Sequence, residues 1–293
     1  MQFQGTYTAL ITPFKDGVID EAAFEAIIQT QIEAGIEGIV PAGTTGESPT
    51  LNPTEHLKVI ELAVKYAAGK TQVIAGTGAN STLEAIELTK AAQQLGVDAS
   101  LQVCPYYNKP SQDGLFAHFG AIADSTDLPI VLYSIPGRSV VEIAIDTVAD
   151  LAVNYDNIVA IKEAGGNVDR INQLKQICPD DFTLISGDDP LTLPFISCGA
   201  KGVISVISNL CPGMMKGLVD SALAGDFETA LLMQQQYYPL LSGLMSLGVN
   251  PVPIKTAMAA IGKCEPDLRL PLVSLNKETE EQLRELLTEF HLI

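Results

Sequence analysis

The stretch Ile158-Val159-Ala160-Ile161-Lys162-Glu163-Ala164 decides how the rest of the chain is read. Four apolar residues run into a lysine, and Gly165-Gly166-Asn167 follows as a helix start. A short apolar run bounded by glycines has the pattern of a fully buried strand. A lysine closing such a strand is unusual, because a buried ammonium is costly to desolvate. Desolvation favours the neutral amine, and a neutral amine is a nucleophile. The plainer reading is that Lys162 clears the sheet and reaches water, as lysines ordinarily do.

Working outward, the same strand-then-helix unit recurs along the chain. Residues 6–12, 38–42, 72–76, 99–103 and 129–133 read as the first five strands, residues 158–162 as the sixth, and 182–186 and 202–206 as the last two. Helix signals lie between them. Asp20 precedes Phe24, Ile27, Ile28 and Ile32 at helical spacing, Asn52-Pro53-Thr54-Glu55 is a helix start, and Ser81-Thr82-Leu83-Glu84 reads as a capping box. Eight such units of continuously apolar strands predict a parallel (β/α)8 barrel, a TIM barrel. A doubly wound sheet is the alternative, but Gly76-Thr77-Gly78 lacks the third glycine of a dinucleotide fingerprint. Helical patterns over 217–233, 237–247, 253–261 and 277–290 exceed what a barrel needs. The chain therefore divides into a barrel over 1–223 and a C-terminal helical extension over 224–293.

Composition narrows the function. At 293 residues and a formal charge of −18, the chain is unsuited to nucleic acid or anionic membrane surfaces, which call for clustered Lys and Arg. The five cysteines (Cys104, Cys178, Cys198, Cys211, Cys264) form no C-x-x-C, and the three histidines (His56, His118, His291) no H-E-x-x-H. Neither a disulfide framework nor a metal site is expected, and reduced thiols fit a cytoplasmic protein. Met1-Gln2-Phe3-Gln4-Gly5 has no basic or apolar leader pattern, and no apolar run reaches membrane-spanning length.

A barrel of this kind places its active site at the C-terminal ends of the strands. There this chain gathers Thr44 and Thr45, Tyr106 and Tyr107, Tyr133, Arg138, Lys162 and Gly187. The set has a chemical logic. An amine condensing with a ketone gives an iminium, an electron sink that acidifies the neighbouring C–H. An ordinary lysine is only about one part in a thousand neutral near neutrality, so a lysine nucleophile works best with its pKa lowered by burial. A tyrosine hydroxyl can move the protons of carbinolamine formation, an arginine offers a fork for a carboxylate, and a Gly-Thr-Thr-Gly turn can hold a second carboxylate. Plainer readings stand beside these. Tyr133 could simply end a core strand, Tyr106 and Tyr107 could be interface aromatics, and Arg138 could be a surface residue. Thr44 and Thr45 could be turn hydroxyls, and Glu84 a capping residue. Lys201 and Lys255 compete with Lys162, but neither ends a barrel strand.

Taken together, Gly43-Thr44-Thr45-Gly46-Glu47-Ser48, Pro105-Tyr106-Tyr107-Asn108-Lys109-Pro110, Tyr133-Ser134-Ile135-Pro136-Gly137-Arg138, Ile161-Lys162-Glu163-Ala164 and Ser186-Gly187-Asp188-Asp189 resemble the pyruvate-dependent class I aldolase superfamily. Within it they look like the dihydrodipicolinate synthase family, over essentially the whole chain. The resemblance implies an enzyme of lysine and diaminopimelate biosynthesis that needs no cofactor, since pyruvate forms a Schiff base on Lys162. The enamine would then attack L-aspartate 4-semialdehyde. It also implies a proton relay of Tyr133, Thr45 and Tyr107, with Tyr107 supplied by a neighbouring subunit of a homotetramer. Thr44 and Thr45 would hold pyruvate, Arg138 the semialdehyde carboxylate, and Gly187 and Ile204 would line the pocket. Ser48, Pro49, His56, Asn80, Glu84 and Tyr106 match a site at which sensitive members bind inhibitory L-lysine, although Pro53 replaces a histidine they often carry. N-acetylneuraminate lyase and 2-keto-3-deoxy sugar acid aldolases share the barrel and the lysine. Thr44 and Arg138 favour the synthase over the neuraminate type, and the intact set argues against a dead barrel kept for interaction. Ser134 and Gly248-Val249-Asn250-Pro251 depart from the usual pattern without a consequence that can be read from sequence.

Overall fold

A computed structural model describes residues 3–293; Met1 and Gln2, which open the stretch read for a leader, lie outside the described residues. The parallel strands are β1 (Gly5–Ala9), β2 (Gly38–Val40), β3 (Gln72–Gly76), β4 (Ala99–Val103), β5 (Ile130–Ser134), β6 (Ile158–Glu163), β7 (Thr183–Ser186) and β8 (Gly202–Ser205). Each pairs with the next, and β8 returns to β1, so the sheet closes into the expected (β/α)8 barrel. The outer layer is α1 (Glu21–Glu33), α2 (Pro53–Ala67), α3 (Thr82–Leu95), α4 (Gln112–Ala123), the short α5 (Pro136–Ser139), α6 (Ile145–Asn154), α7 (Val168–Ile177), α8 (Thr192–Ser197) and α9 (Pro212–Leu223). A two-residue hairpin, Phe14–Lys15 with Val18–Ile19, was not anticipated. Its signal is Asp16-Gly17, both at positive φ (52° and 78°), but the strands are too short to show periodicity.

Side chains alternate across each strand, and this sorts the barrel into an interior and a sheet–helix layer. Tyr7, Ala9, Val40, Ile74, Leu101, Val131, Tyr133, Ala160, Ile185 and Ile204 fill the interior as one cluster. A register shift at Val159 interrupts the alternation on β6: Ile158 packs outward under the helices, Ala160 joins the interior cluster, and Ile161 packs outward again. Lys162 therefore follows Ala160 inward, and Glu163 points outward. The fully buried Glu163 carboxylate accepts from Arg170 Nε at 2.7 Å and from the Gly165 N–H at 2.8 Å. Burial pushes the Glu163 carboxyl upward in pKa, and the α7 guanidinium opposes that.

Beyond α9 the helices are α10 (Phe227–Ser246), α11 (Val252–Ala260) and α12 (Lys277–Glu289). The expected helix over 217–233 is in fact two. Gly225 at φ +83° ends one, and Asp226 caps the next by accepting from the Thr229 N–H at 3.1 Å. The expected break before 237 does not occur; α10 runs straight through with Pro239 inside it. A helix-interior proline removes one hydrogen bond, and here both Pro239 and Gln235, the residue whose carbonyl loses its donor, are exposed. Leu240, Leu241, Leu244, Ile254, Met258, Leu283 and Leu287 share one apolar cluster with Leu10, Ile11, Val206 and Ile207 of the barrel.

A buried ion pair adds to this apolar contact. Lys255 Nζ lies 2.5 Å from Glu47 Oε1, with both side chains at 0% exposure. The other Glu47 oxygen accepts from the Arg269 backbone N–H at 3.1 Å, and Arg269 forks onto Glu55 at 2.6 and 2.7 Å. The Lys255 ammonium and the Arg269 guanidinium both cap the Phe14 ring, at 4.3 and 4.2 Å. Burial pushes the Lys255 amine down in pKa, and Glu47 opposes it. Lys255, a competitor for the nucleophile in sequence, is thus committed to structure. Breaking one half of a buried pair strands the other charge. Lys255→Met is therefore expected to cost ~3–5 kcal/mol of stability by urea denaturation. Glu47→Gln combined with Lys255→Met should recover most of that loss.

Candidate active site

Tyr133 and Lys162 are Cα partners across β5 and β6, at the last inward-facing position of each strand. Lys162 Nζ lies 4.3 Å from the centroid of the Tyr133 ring, and each residue is 6% exposed. The reading in which Lys162 reaches water is overturned: alternation turns it into the barrel. At β7, Gly187 leaves it room. A Cβ on Gly187 would stand 2.9 Å from Lys162 Cε and 2.7 Å from Ala164 Cβ, so any side chain there displaces the lysine.

The Gly43–Ser48 turn after β2 closes on itself through Gly46 N–H to Gly43 O (3.1 Å) and Glu47 N–H to Thr44 O (3.1 Å). Thr12 Oγ1 pins it by donating to Gly46 O at 2.7 Å. Among the described residues, the Thr44 and Thr45 N–H groups carry no hydrogen bond within the protein, which leaves them available to an anion. Arg138 stands on the one-turn helix α5; its guanidinium donates to Asn250 O at 3.0 Å and is otherwise exposed. Lys162, Tyr133, Thr44, Thr45, Arg138 and Gly187 together line a cavity of about 70 Å³. Ile204 does not line it; it lies among the interior side chains below, and Val206 takes the wall. The buried Asp189 carboxylate holds that wall by accepting from the N–H groups of Val206 and Ile207 at 3.0 and 2.9 Å. Burial pushes Asp189 upward in pKa, and these donors oppose it.

Sequence reasoning left Asn250 unassigned. It lines the same cavity, donates through Nδ2 to Thr45 Oγ1 at 3.0 Å, and offers its backbone oxygen to Arg138. It sits in an aperiodic segment between α10 and α11, where only proximity to the barrel mouth reveals a role. Tyr107 lies outside the cavity wall, 88% exposed and at φ +75°, a backbone region that bulky residues seldom occupy.

A second, larger cavity of about 400 Å³ is lined by Ser48, Pro49, His56, Glu84 and Tyr106. Asn80 braces it, Nδ2 donating to Tyr106 O at 3.1 Å. His56 Nε2–H donates to Gly76 O at 2.7 Å, and burial lowers its pKa. The capping box expected at α3 is only half made. Ser81 accepts from the Glu84 N–H at 3.4 Å, but the carboxylate lines the cavity instead of returning to the cap. A cleft of about 30 Å³ lies between the two cavities, with Thr44 and Tyr133 of the first and Ser48 and Gly78 of the second in its wall.

Comparison with known proteins fits this geometry. A sequence profile of the Dihydrodipicolinate synthetase family matches residues 2–290. The 4-hydroxy-tetrahydrodipicolinate synthase of Aquifex aeolicus (strain VF5) is 48% identical over 290 residues, covering 99% of this chain and 98% of the relative. The solved 4-hydroxy-tetrahydrodipicolinate synthase of Methylacidiphilum fumariolicum SolV superposes with a TM-score of 0.97 at 52% identity, over 98% of this chain and 95% of that one. The dihydrodipicolinate synthase of Cyanidioschyzon merolae, solved with lysine bound, gives a TM-score of 0.95 at 41% identity over 99% of both chains. A lysine inside a parallel barrel, beneath a Gly-Thr-Thr-Gly turn and matched end to end by these relatives, marks the chain as a member of the dihydrodipicolinate synthetase family.

Proposed function

We propose that the protein is a 4-hydroxy-tetrahydrodipicolinate synthase, condensing pyruvate with L-aspartate 4-semialdehyde at the start of lysine and diaminopimelate biosynthesis. The observation that carries this reading is the inward-facing Lys162, packed on Tyr133 inside a cavity that also holds Thr44, Thr45 and Arg138. The Lys162 amine adds to the pyruvate ketone, and loss of water leaves an iminium. Loss of a methyl proton gives the enamine, whose carbon attacks the aldehyde; the aldehyde oxygen becomes the hydroxyl. The substrate's own amine then adds to the iminium carbon, closing the ring and expelling Lys162. The lysine supplies the electron sink, so the chemistry calls for no cofactor.

Thr44 and Thr45 N–H groups hold the pyruvate carboxylate, and Arg138 holds that of the semialdehyde. Thr45 Oγ1 accepts from Asn250, which leaves its hydroxyl proton free to serve Tyr133. Tyr107 completes the relay from a neighbouring subunit of a homotetramer; its 88% exposure supports a role outside its own protomer. A cytoplasmic setting agrees with five free thiols, and among the described residues no helix is long and apolar enough to cross a membrane.

Borohydride added with pyruvate is expected to fix one pyruvate on the peptide carrying Lys162, read by intact mass and peptide mapping, and Lys162→Ala should abolish the adduct. An adduct on Lys201 or Lys255, or none on folded protein, overturns the reading. Product formation with aspartate semialdehyde, and none from N-acetylneuraminate, separates the synthase from the lyase.

L-Lysine is the proposed inhibitor at the larger cavity, where the Glu84 carboxylate meets its ε-ammonium and Asn80 and Tyr106 meet its carboxylate. The Cyanidioschyzon merolae relative, solved with lysine bound, supports this. Glu84→Gln should raise the half-inhibitory lysine concentration by about tenfold, the cost of one charge-assisted hydrogen bond. A wild-type enzyme unaffected by tens of millimolar lysine removes the proposal.

A further inference from the structure

Resting on the synthase reading, we infer that the Asn250 side chain recognises the α-ammonium of the aldehyde substrate and so sets the preference for an amino-acid aldehyde over its deamino counterpart. Asn250 is 8% exposed and lines the reaction cavity, and its Oδ1 has no hydrogen-bond partner among the described residues. A buried acceptor left without a donor is costly, and a ligand donor at this spot would relieve that cost. Asn250 Nδ2 donates to Thr45 Oγ1 at 3.0 Å, and its backbone oxygen accepts from Arg138 at 3.0 Å.

The second of those bonds identifies the ligand group. It sets the Arg138 guanidinium against Asn250, so a carboxylate forked onto Arg138 brings its α-carbon alongside the amide. In an α-amino acid that carbon carries an ammonium, the one cationic donor the aldehyde possesses. A neutral acceptor suits the position better than a carboxylate for two reasons. An acid here would pair with Arg138 and compete with the substrate. The amine must also shed a proton before it can close the ring, and an amide oxygen holds it without insisting on its charge. Of the buried carboxylates nearby, Glu47 is committed to Lys255 and Arg269, and Asp189 holds the Val206 and Ile207 N–H groups through one of its oxygens.

The test compares L-aspartate 4-semialdehyde with 4-oxobutanoate, the same aldehyde with hydrogen in place of the ammonium. Because 4-oxobutanoate has no amine to close the ring, aldehyde consumption is followed in the first turnover of pyruvate-loaded enzyme. Wild-type enzyme should prefer the amino aldehyde by at least about tenfold, as expected when a site's polar group goes unpaired. In Asn250→Leu that ratio should fall toward one. Loss of the bond to Thr45 slows both aldehydes alike, so the ratio isolates the ammonium. Borohydride trapping of pyruvate on Lys162 certifies that the variant is folded, and Asn250→Ala serves if Asn250→Leu is not. An unchanged ratio, with both rates lowered equally, overturns the inference and leaves Asn250 as a support for Thr45. Trapped pyruvate with no consumption of either aldehyde by wild-type enzyme would instead overturn the synthase reading.

Discussion

Everything at the reaction centre depends on the register of one strand. β6 turns Ala160 and Lys162 into the barrel and Ile161 and Glu163 out of it, and a slip of one residue would exchange the two sets. The Glu163–Arg170 pair works against that slip. Its carboxylate is fully buried in the layer between sheet and helices, where only Arg170 and the Gly165 N–H make it tolerable. Moving Glu163 inward would cost Arg170 its buried partner, leaving it only the half-exposed Glu142 at 3.3 Å, and would place a carboxylate where Lys162 stands. The pair thus contributes specificity of register, whatever its net contribution to stability.

The barrel alone does not complete the site. The Gly43–Ser48 turn leaves the Thr44 and Thr45 N–H groups open on one side and is gripped from the other by the C-terminal extension. Glu47 is held by Lys255 and by the Arg269 backbone, and Thr45 by Asn250. Arg138 at the mouth is steadied by the Asn250 carbonyl. The cavity-facing parts of the turn are therefore aimed by residues that never belong to a strand, in keeping with the rule that a rigid scaffold positions functional loops.

How much of this was legible in the sequence follows from the range of the interactions. Lys162, Tyr133 and Gly187 were readable because strand periodicity and the barrel rule are local or nearly so. The helix start at Asn52 formed as read and closes a full capping box, whereas the box read at Ser81 is only half made, because Glu84 lines a cavity that local sequence does not describe. The helices after residue 223 were misdivided for a related reason. Gly225 lies within an apolar pattern that continues past it, and Pro239, ordinarily a breaker, is tolerated on a solvent-facing stripe. Asn250 carried no periodic signal at all, since its meaning comes from partners at residues 45 and 138.

That long range has a consequence for how the protein comes into being. The bonds that aim the substrate turn join residues 205, 208 and 222 positions apart. Contacts of such separation carry a large closure entropy and belong to the slow end of folding. During synthesis from the N-terminus, every barrel strand emerges before Asn250, Lys255 or Arg269 exists. A nascent barrel can therefore enclose its lysine while the Gly43–Ser48 turn is still unclamped. The clamp on the turn can form only after residues 250, 255 and 269 have been made.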